Sequence, residues 1–155
     1  MFTEKATEKI KKEAKEYLQS EKLAVLSTVS PEGKPQSATV LYLFDDDYNF
    51  FFVTRNDTQK AENLSTNNNV SIVVGAQLGP VTMQMSGAAI LLSPIEQKEF
   101  IYKLSKNAEL KQLYYGPFLN LEGINFSLYR VAITWARWLK IDIEKKKEVY
   151  YQIIP

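Results

Sequence analysis

The chain has 155 residues, 45% of them hydrophobic and 24% charged, the balance of an ordinary globular protein with enough material for a real core. Nineteen basic and eighteen acidic residues leave a formal charge of +1, which provides no field to gather nucleic acid or an anionic membrane surface. It has no cysteine and no histidine. That excludes disulfides, thiolate nucleophiles, histidine acid–base chemistry and the usual haem and zinc ligation, so any redox chemistry must come from a bound cofactor.

Residues 3–20 carry Ala6, Ile10, Ala14 and Leu18 at steps of four, with Tyr17 beside them. This is one apolar stripe on a charged amphipathic helix with Thr3 as its cap, expected to lie across a barrel end or a partner subunit. The charged N-terminus lacks the apolar run of a signal peptide, and no run is long enough to span a bilayer, so a cytoplasmic protein is expected.

From Lys22 the period changes. Residues 23–29 read as a strand and Ser30-Pro31-Glu32-Gly33-Lys34 as a tight hairpin turn. Residues 35–44 are the return strand, with Ser37, Thr39, Leu41 and Leu43 on one face and Ala38, Val40, Tyr42 and Phe44 on the other. The next turn holds Asp45-Asp46-Asp47, which lacks the alternating ligands, central glycine and terminal glutamate of a calcium loop and reads as a solvated hairpin tip. A strand over 49–54 includes four successive β-formers, Phe50, Phe51, Phe52 and Val53.

Asn56-Asp57 break that strand, and Thr58 is the N-cap of a short helix beginning Gln59-Lys60-Ala61-Glu62. Lys60 stands in the first turn, where a cation opposes the helix dipole. The placement makes sense where an anion such as phosphate sits at the turn, and equally describes a plain strand-to-helix corner with a solvent-facing lysine.

Asn67-Asn68-Asn69 closes the helix, and residues 70–74 form a strong strand. A turn over 75–80 leads to a long strand over 81–92, where Gly87 marks a bulge or a close backbone approach. Ser93-Pro94-Ile95-Glu96 is a capping box for a helix running to about residue 106. A short helix over 108–113 and an irregular stretch over 114–125 follow. Residues 126–143 read as a long strand or bent pair, with Tyr129, Val131, Ile133 and Trp135 on one face and Arg130, Thr134 and Lys140 on the other. A final edge strand is expected over 149–154. Hairpin-linked strands with few helices, no repeat and no linker predict one mainly β domain with α additions, an antiparallel barrel.

These segments together resemble the pyridoxamine 5′-phosphate oxidase-like family of FMN-binding split β-barrels. The resemblance rests on Leu26-Ser27-Thr28-Val29 with Pro31-Glu32-Gly33-Lys34-Pro35, Thr39-Val40, Val53-Thr54 with Thr58-Gln59-Lys60-Ala61-Glu62-Asn63-Leu64, Asn69-Val70-Ser71-Ile72, and Gln84 with Gly87-Ala88. It covers residues 20–92 well and the last third loosely. It implies a six- to seven-stranded split barrel and a homodimer with FMN in clefts at the interface. It places Ser37, Ala38, Thr39, Val40, Val53 and Thr54 along the flavin, and Thr58, Gln59 and Lys60, joined by Arg55, at the phosphate. Gln84 and Trp135 would reach the flavin from the partner subunit, although Trp135 reads equally well as core or interface packing, the role expected of Trp138.

The true oxidases carry arginines at the positions of Ala38 and Gln59, and a C-terminal arginine and histidine without counterpart here. The chain therefore looks more like the general-stress and flavin-reductase branch than like a pyridoxamine phosphate oxidase. The function implied is an FMN-dependent oxidoreductase, reduced by NAD(P)H or another small donor. The alternative is a non-catalytic module that binds or senses a flavin or another phosphorylated ligand. A deazaflavin is a third option, and haem is disfavoured by the missing histidine. No general acid or base is identifiable.

Overall fold

The structure, a computed structural model, describes residues 3–75, 81–106, 125–142 and 146–155. Most of the turn expected over 75–80, the short helix over 108–113, all but Asn125 of the irregular stretch and the end of the long strand at 143 lie outside the described residues.

The chain opens with β1 (Thr3–Lys5) and α1 (Glu8–Ser20), then β2 (Leu23–Val29), β3 (Pro35–Phe44) and β4 (Asn49–Arg55). Next come α2 (Gln59–Thr66), β5 (Asn69–Val74), β6 (Thr82–Leu91), α3 (Pro94–Lys106), β7 (Phe126–Asp142) and β8 (Lys147–Ile154). The sheet order is β1-β8-β7-β4-β3-β2-β5-β6, and β6 also pairs with β7. That extra pairing closes β2 to β7 into a six-stranded antiparallel barrel, with β8 and β1 appended to the far half of β7. Closure removes the exposed edges an open sheet would present.

The expected helix over 3–20 is the one element that changes character. Thr3, Glu4 and Lys5 pair in parallel with Tyr150, Tyr151 and Gln152 of β8, so the helix starts only at Glu8. Its cap is Thr7, whose Oγ1 accepts from the Ile10 N–H at 3.3 Å, and not Thr3. The apolar stripe nevertheless packs as expected: Ala14 and Leu18 are buried against the barrel end, and the Tyr42 hydroxyl donates to the Leu18 carbonyl at 2.7 Å.

Inside the barrel the even positions of β2, β3 and β4 point inward. Leu26, Tyr42, Phe50 and Phe52 are at most 1% exposed. Tyr42 stacks on Phe50 with centroids 4.6 Å apart, and Phe52 on Tyr129 at 5.3 Å, adding directional packing to area burial. The four-residue apolar run of β4 is therefore not buried on both faces. Phe51 points out and meets Phe100 of α3 at 5.2 Å.

The turn chemistry follows the sequence. Gly33 has φ +79°, a conformation that costs glycine little, and its N–H donates to the Ser30 carbonyl at 2.9 Å. Asp45 folds the next turn by accepting from the backbone N–H groups of Asp47 and Asn49, so its carboxylate is spent on structure. In the capping box the Ser93 N–H donates to Glu96 Oε2 and the Glu96 N–H to Ser93 Oγ. Those bonds hold the Glu96 carboxyl below its ordinary pKa.

Gly87 marks both a bulge and a close approach. Ser86 faces Trp135 but Gly87 faces Ile133, leaving Thr134 as the extra residue. A Cβ at Gly87 would lie 2.3 Å from the Ala132 carbonyl oxygen. The bulge also inverts the alternation of β7. Tyr129, Val131 and Ile133 are buried as expected, but past it Ala136 and Trp138 turn inward. Trp135 therefore does not share their face, which corrects the pattern read from spacing alone.

Candidate functional site

The site is created by an incomplete strand pair. β3 and β4 pair only at Tyr42–Phe52, Leu43–Phe51 and Phe44–Phe50, next to their hairpin. Beyond Tyr42 and Phe52 the strands part. Residues 35–41 of β3 stay paired with β2, and Val53, Thr54 and Arg55 stay paired with β7. The edges facing each other across the gap thus have no ladder partner and offer backbone donors and acceptors to anything lying between them. A recess of about 160 Å³ fills the gap, lined by Thr39, Val40, Leu41, Val53, Thr54, Arg55, Thr58 and Lys60.

α2 seals the end of this split. Thr58 is its N-cap: Oγ1 accepts from the Ala61 N–H at 3.3 Å, donates to the Arg55 carbonyl at 2.9 Å and contacts Thr54 Oγ1 at 3.1 Å. The hydroxyl proton is used within the turn. Thr58 can therefore shape an anion site and present helix N–H groups, but it has no side-chain donor left for the anion itself.

Lys60 follows in the first turn. It lines the split and also a second recess of about 380 Å³ bounded by Leu26, Thr28, Gln36, Ser37, Ala38, Thr58 and Gln59. It is half-buried, no carboxylate pairs with it among the described residues, and desolvation lowers its pKa from the ordinary lysine value. A desolvated cation without a counter-ion lacks part of its compensation, and an anionic ligand would supply it.

Arg55 lines the same split, but its guanidinium is engaged. Nε donates to Asp57 Oδ1 at 2.9 Å and Nη2 to Oδ2 at 2.5 Å. This bidentate pairing raises the arginine pKa and lowers that of the carboxyl. Gln59 is likewise turned onto its own helix, donating to Glu62 at 2.9 Å and Asn63 at 3.2 Å. Ser37 is exposed, its hydroxyl 2.7 Å from that of Ser27.

Sequence reading missed the residue that fixes this corner. Asn63 is 0% exposed, and its Nδ2 donates to Thr28 Oγ1 at 2.9 Å and to Gln36 Oε1 at 2.7 Å. It pins α2 to the end of β2 and the start of β3. The available signal was an asparagine one helical turn beyond Gln59, flanked by Leu64, on a helix otherwise polar.

Gln84 and Trp135 are not brought to this recess by their own chain. They lie on β6 and β7, and β6 stands three strands from β3 in either direction around the barrel. There Arg137 donates from Nη2 to Gln84 Oε1 at 2.7 Å and sits 5.5 Å from the Trp135 ring and 4.7 Å from the Tyr150 ring. Among the described residues no group of His, Cys, Asp and Glu could hold a metal ion, and no helix is long and apolar enough to cross a membrane.

The chain is similar to known proteins in sequence and in fold. Residues 10–137 match the family model described as pyridoxamine 5′-phosphate oxidase. The pyridoxine/pyridoxamine 5′-phosphate oxidase of Bacteroides thetaiotaomicron is 32% identical over 122 residues, 78% of this chain. The match spans only 57% of that relative's length. A Clostridium acetobutylicum protein related to general stress protein 26 superposes with a TM-score of 0.70 at 17% identity, covering 96% of this chain and 97% of its own. A pyridoxamine 5′-phosphate oxidase-related, FMN-binding protein of Nostoc punctiforme superposes with a TM-score of 0.59 at 15% identity, covering 94% of this chain and 93% of its own. The chain belongs to the pyridoxamine 5′-phosphate oxidase family.

Proposed function

We propose that this chain is a flavoprotein that binds FMN in the split between β3 and β4 and uses it in an oxidoreductase reaction. The observation that carries the reading is one recess that joins two unpaired strand edges to a half-buried lysine with no carboxylate partner among the described residues. A flat, polar-edged ring satisfies the strand edges and a phosphate satisfies the lysine. The FMN-binding Nostoc relative of the same fold supports the choice of ligand.

The roles of the protein groups follow. Lys60 balances the phosphate charge, and the first N–H groups of α2 point toward it. The backbones of Thr39, Val40, Val53 and Thr54 line the long edge of the ring. Ser37 and Ala38 border the neighbouring recess. The flavin supplies the electron chemistry, while the protein supplies position and electrostatics. Ser37 and Thr39 are exposed, so a ring lying along them stays wet unless a second copy covers it. A homodimer whose partner brings Gln84 and Trp135 to the ring completes the proposal. Pyridoxamine phosphate oxidation is not part of it, because the family resemblance implies arginines where this chain has Ala38 and Gln59, and the chain has no histidine.

An absorption spectrum and an FMN titration test this directly. The expected result is one flavin per chain, with Lys60→Ala weakening FMN by about 1.5–3 kcal/mol, the range for a hydrogen bond to a charged group. Unchanged affinity in that variant refutes the assignment. Light scattering should show a dimer, and a monomer that still binds FMN tightly contradicts the interface. A second reading, a flavin-binding module without turnover, draws on the absence of histidine and cysteine. Bound flavin that is never reduced by NAD(P)H or another donor favours it.

A further inference from the structure

The turn from β4 into α2 carries two cations and treats them in opposite ways. Lys60 has no acidic partner among the described residues, whereas Arg55, lining the same split, is held by a carboxylate two positions along the chain. The backbone around the pair is fixed independently. The Arg55 carbonyl accepts from Thr58 Oγ1 at 2.9 Å, and the Asn56 N–H donates to the Asn125 carbonyl at 3.0 Å. The two side chains, not the backbone, are left to change partner. That of Arg55 is 47% exposed and that of Asp57 64%, so water screens the pair and either group can leave it at small cost.

The planar guanidinium fork fits two phosphate oxygens by the same geometry with which it now grips two carboxylate oxygens. We infer that Asp57 is a built-in competitor for Arg55. It holds the guanidinium while no anion is present, and a phosphomonoester seated beside Lys60 takes Arg55 from it. The inference rests on the reading of this corner as the phosphate subsite and adds its regulation. The cofactor is held by one full cation and one contested cation, so its affinity stays below what the two would give together. The cofactor is therefore exchangeable rather than permanently bound.

The test is fluorescence titration of FMN, and of riboflavin, which lacks the phosphate, against wild type, D57N, D57A, R55A, R55A/D57N and K60A. Both Asp57 variants should tighten FMN about fivefold, the upper range for an exposed pair, and leave riboflavin unchanged. The gain should vanish when R55A/D57N is compared with R55A. A gain that persists without Arg55 overturns the inference, because it would reflect only the removal of a negative charge near an anion. So does the absence of any gain when K60A still weakens FMN, an outcome that leaves the phosphate-subsite reading standing. Wild-type protein that ignores FMN, or a K60A variant with unchanged affinity, overturns the subsite reading and this inference together.

Discussion

Two walls of the same barrel solve strand pairing in opposite ways. β6 and β7 stay in register from Thr82–Leu139 to Leu91–Tyr129, interrupted only by the bulge at Gly87. β3 and β4 abandon each other after Tyr42–Phe52. The first wall keeps its backbone groups within the ladder and packs Met83, Met85, Val131 and Trp138 behind it. The second leaves an unpaired edge and must be stabilised from elsewhere. Its supports are the aromatic stack of Tyr42, Phe50, Phe52 and Tyr129 and the Asn63 network, one on each side of the opening. A binding site can be built from missing pairs only where neighbouring groups hold the gap open.

The sharpest way to break this contrast is at the last pair before the split. Phe52→Ala removes a fully buried ring and should cost about 3–5 kcal/mol in denaturant unfolding, with loss of flavin binding as the strands reseat. On the closed wall, Gly87→Val should cost about 3 kcal/mol, because its side chain meets the Ala132 carbonyl; a variant as stable as wild type would show that the close approach is unimportant. Asn63→Ala should cost about 2 kcal/mol in the same assay, by leaving Thr28, 3% exposed, without its donor, and should weaken FMN through misplacement of α2.

The remaining two effects fall on function rather than stability. Burial lowers the Lys60 pKa, and its ammonium exists only below that pKa. FMN affinity should therefore fall as the pH rises through that lowered pKa, by no more in total than Lys60→Ala loses. The fall should come at lower pH than for an ordinary lysine, and Lys60→Arg should abolish it. Thr39→Val is the smallest change. The side chain is exposed and the ligand bond proposed there is to the backbone, so stability should shift by less than about 0.5 kcal/mol and flavin binding should persist. Loss of binding would mean that the hydroxyl, not the strand edge, holds the ligand.

Local chemistry wrote much of this molecule into the sequence. β2 and β3 fall where their period-2 patterns and the Ser30-Pro31-Glu32-Gly33 turn place them. The capping box at Ser93 and the Thr58 cap are signals between residues three apart, which a chain cannot easily hide. Two readings misled because a distant strand decided the outcome. Thr3, Glu4 and Lys5 have helix-compatible sequence, but β8, some 145 residues on, supplies backbone partners that make them a strand. The phase of β7 depends on a glycine in β6, so spacing within β7 could not show that Trp135 leaves the face of Val131.

The candidate site divides along the same line. That Lys60 sits unhelpfully at a helix start was legible from residues 58–62 alone. That Arg55 is gripped by Asp57 while Lys60 is not, and that Asn63 is a buried anchor rather than a surface polar residue, depended on three-dimensional neighbours. Sequence by itself determined the elements, their caps and turns, and the cations available, because those rest on interactions a few residues long. Only the tertiary structure decided where two strands stop pairing, which cation is left without a carboxylate, and which polar side chain is sealed from water, because pairing and burial are set by residues far apart in the chain.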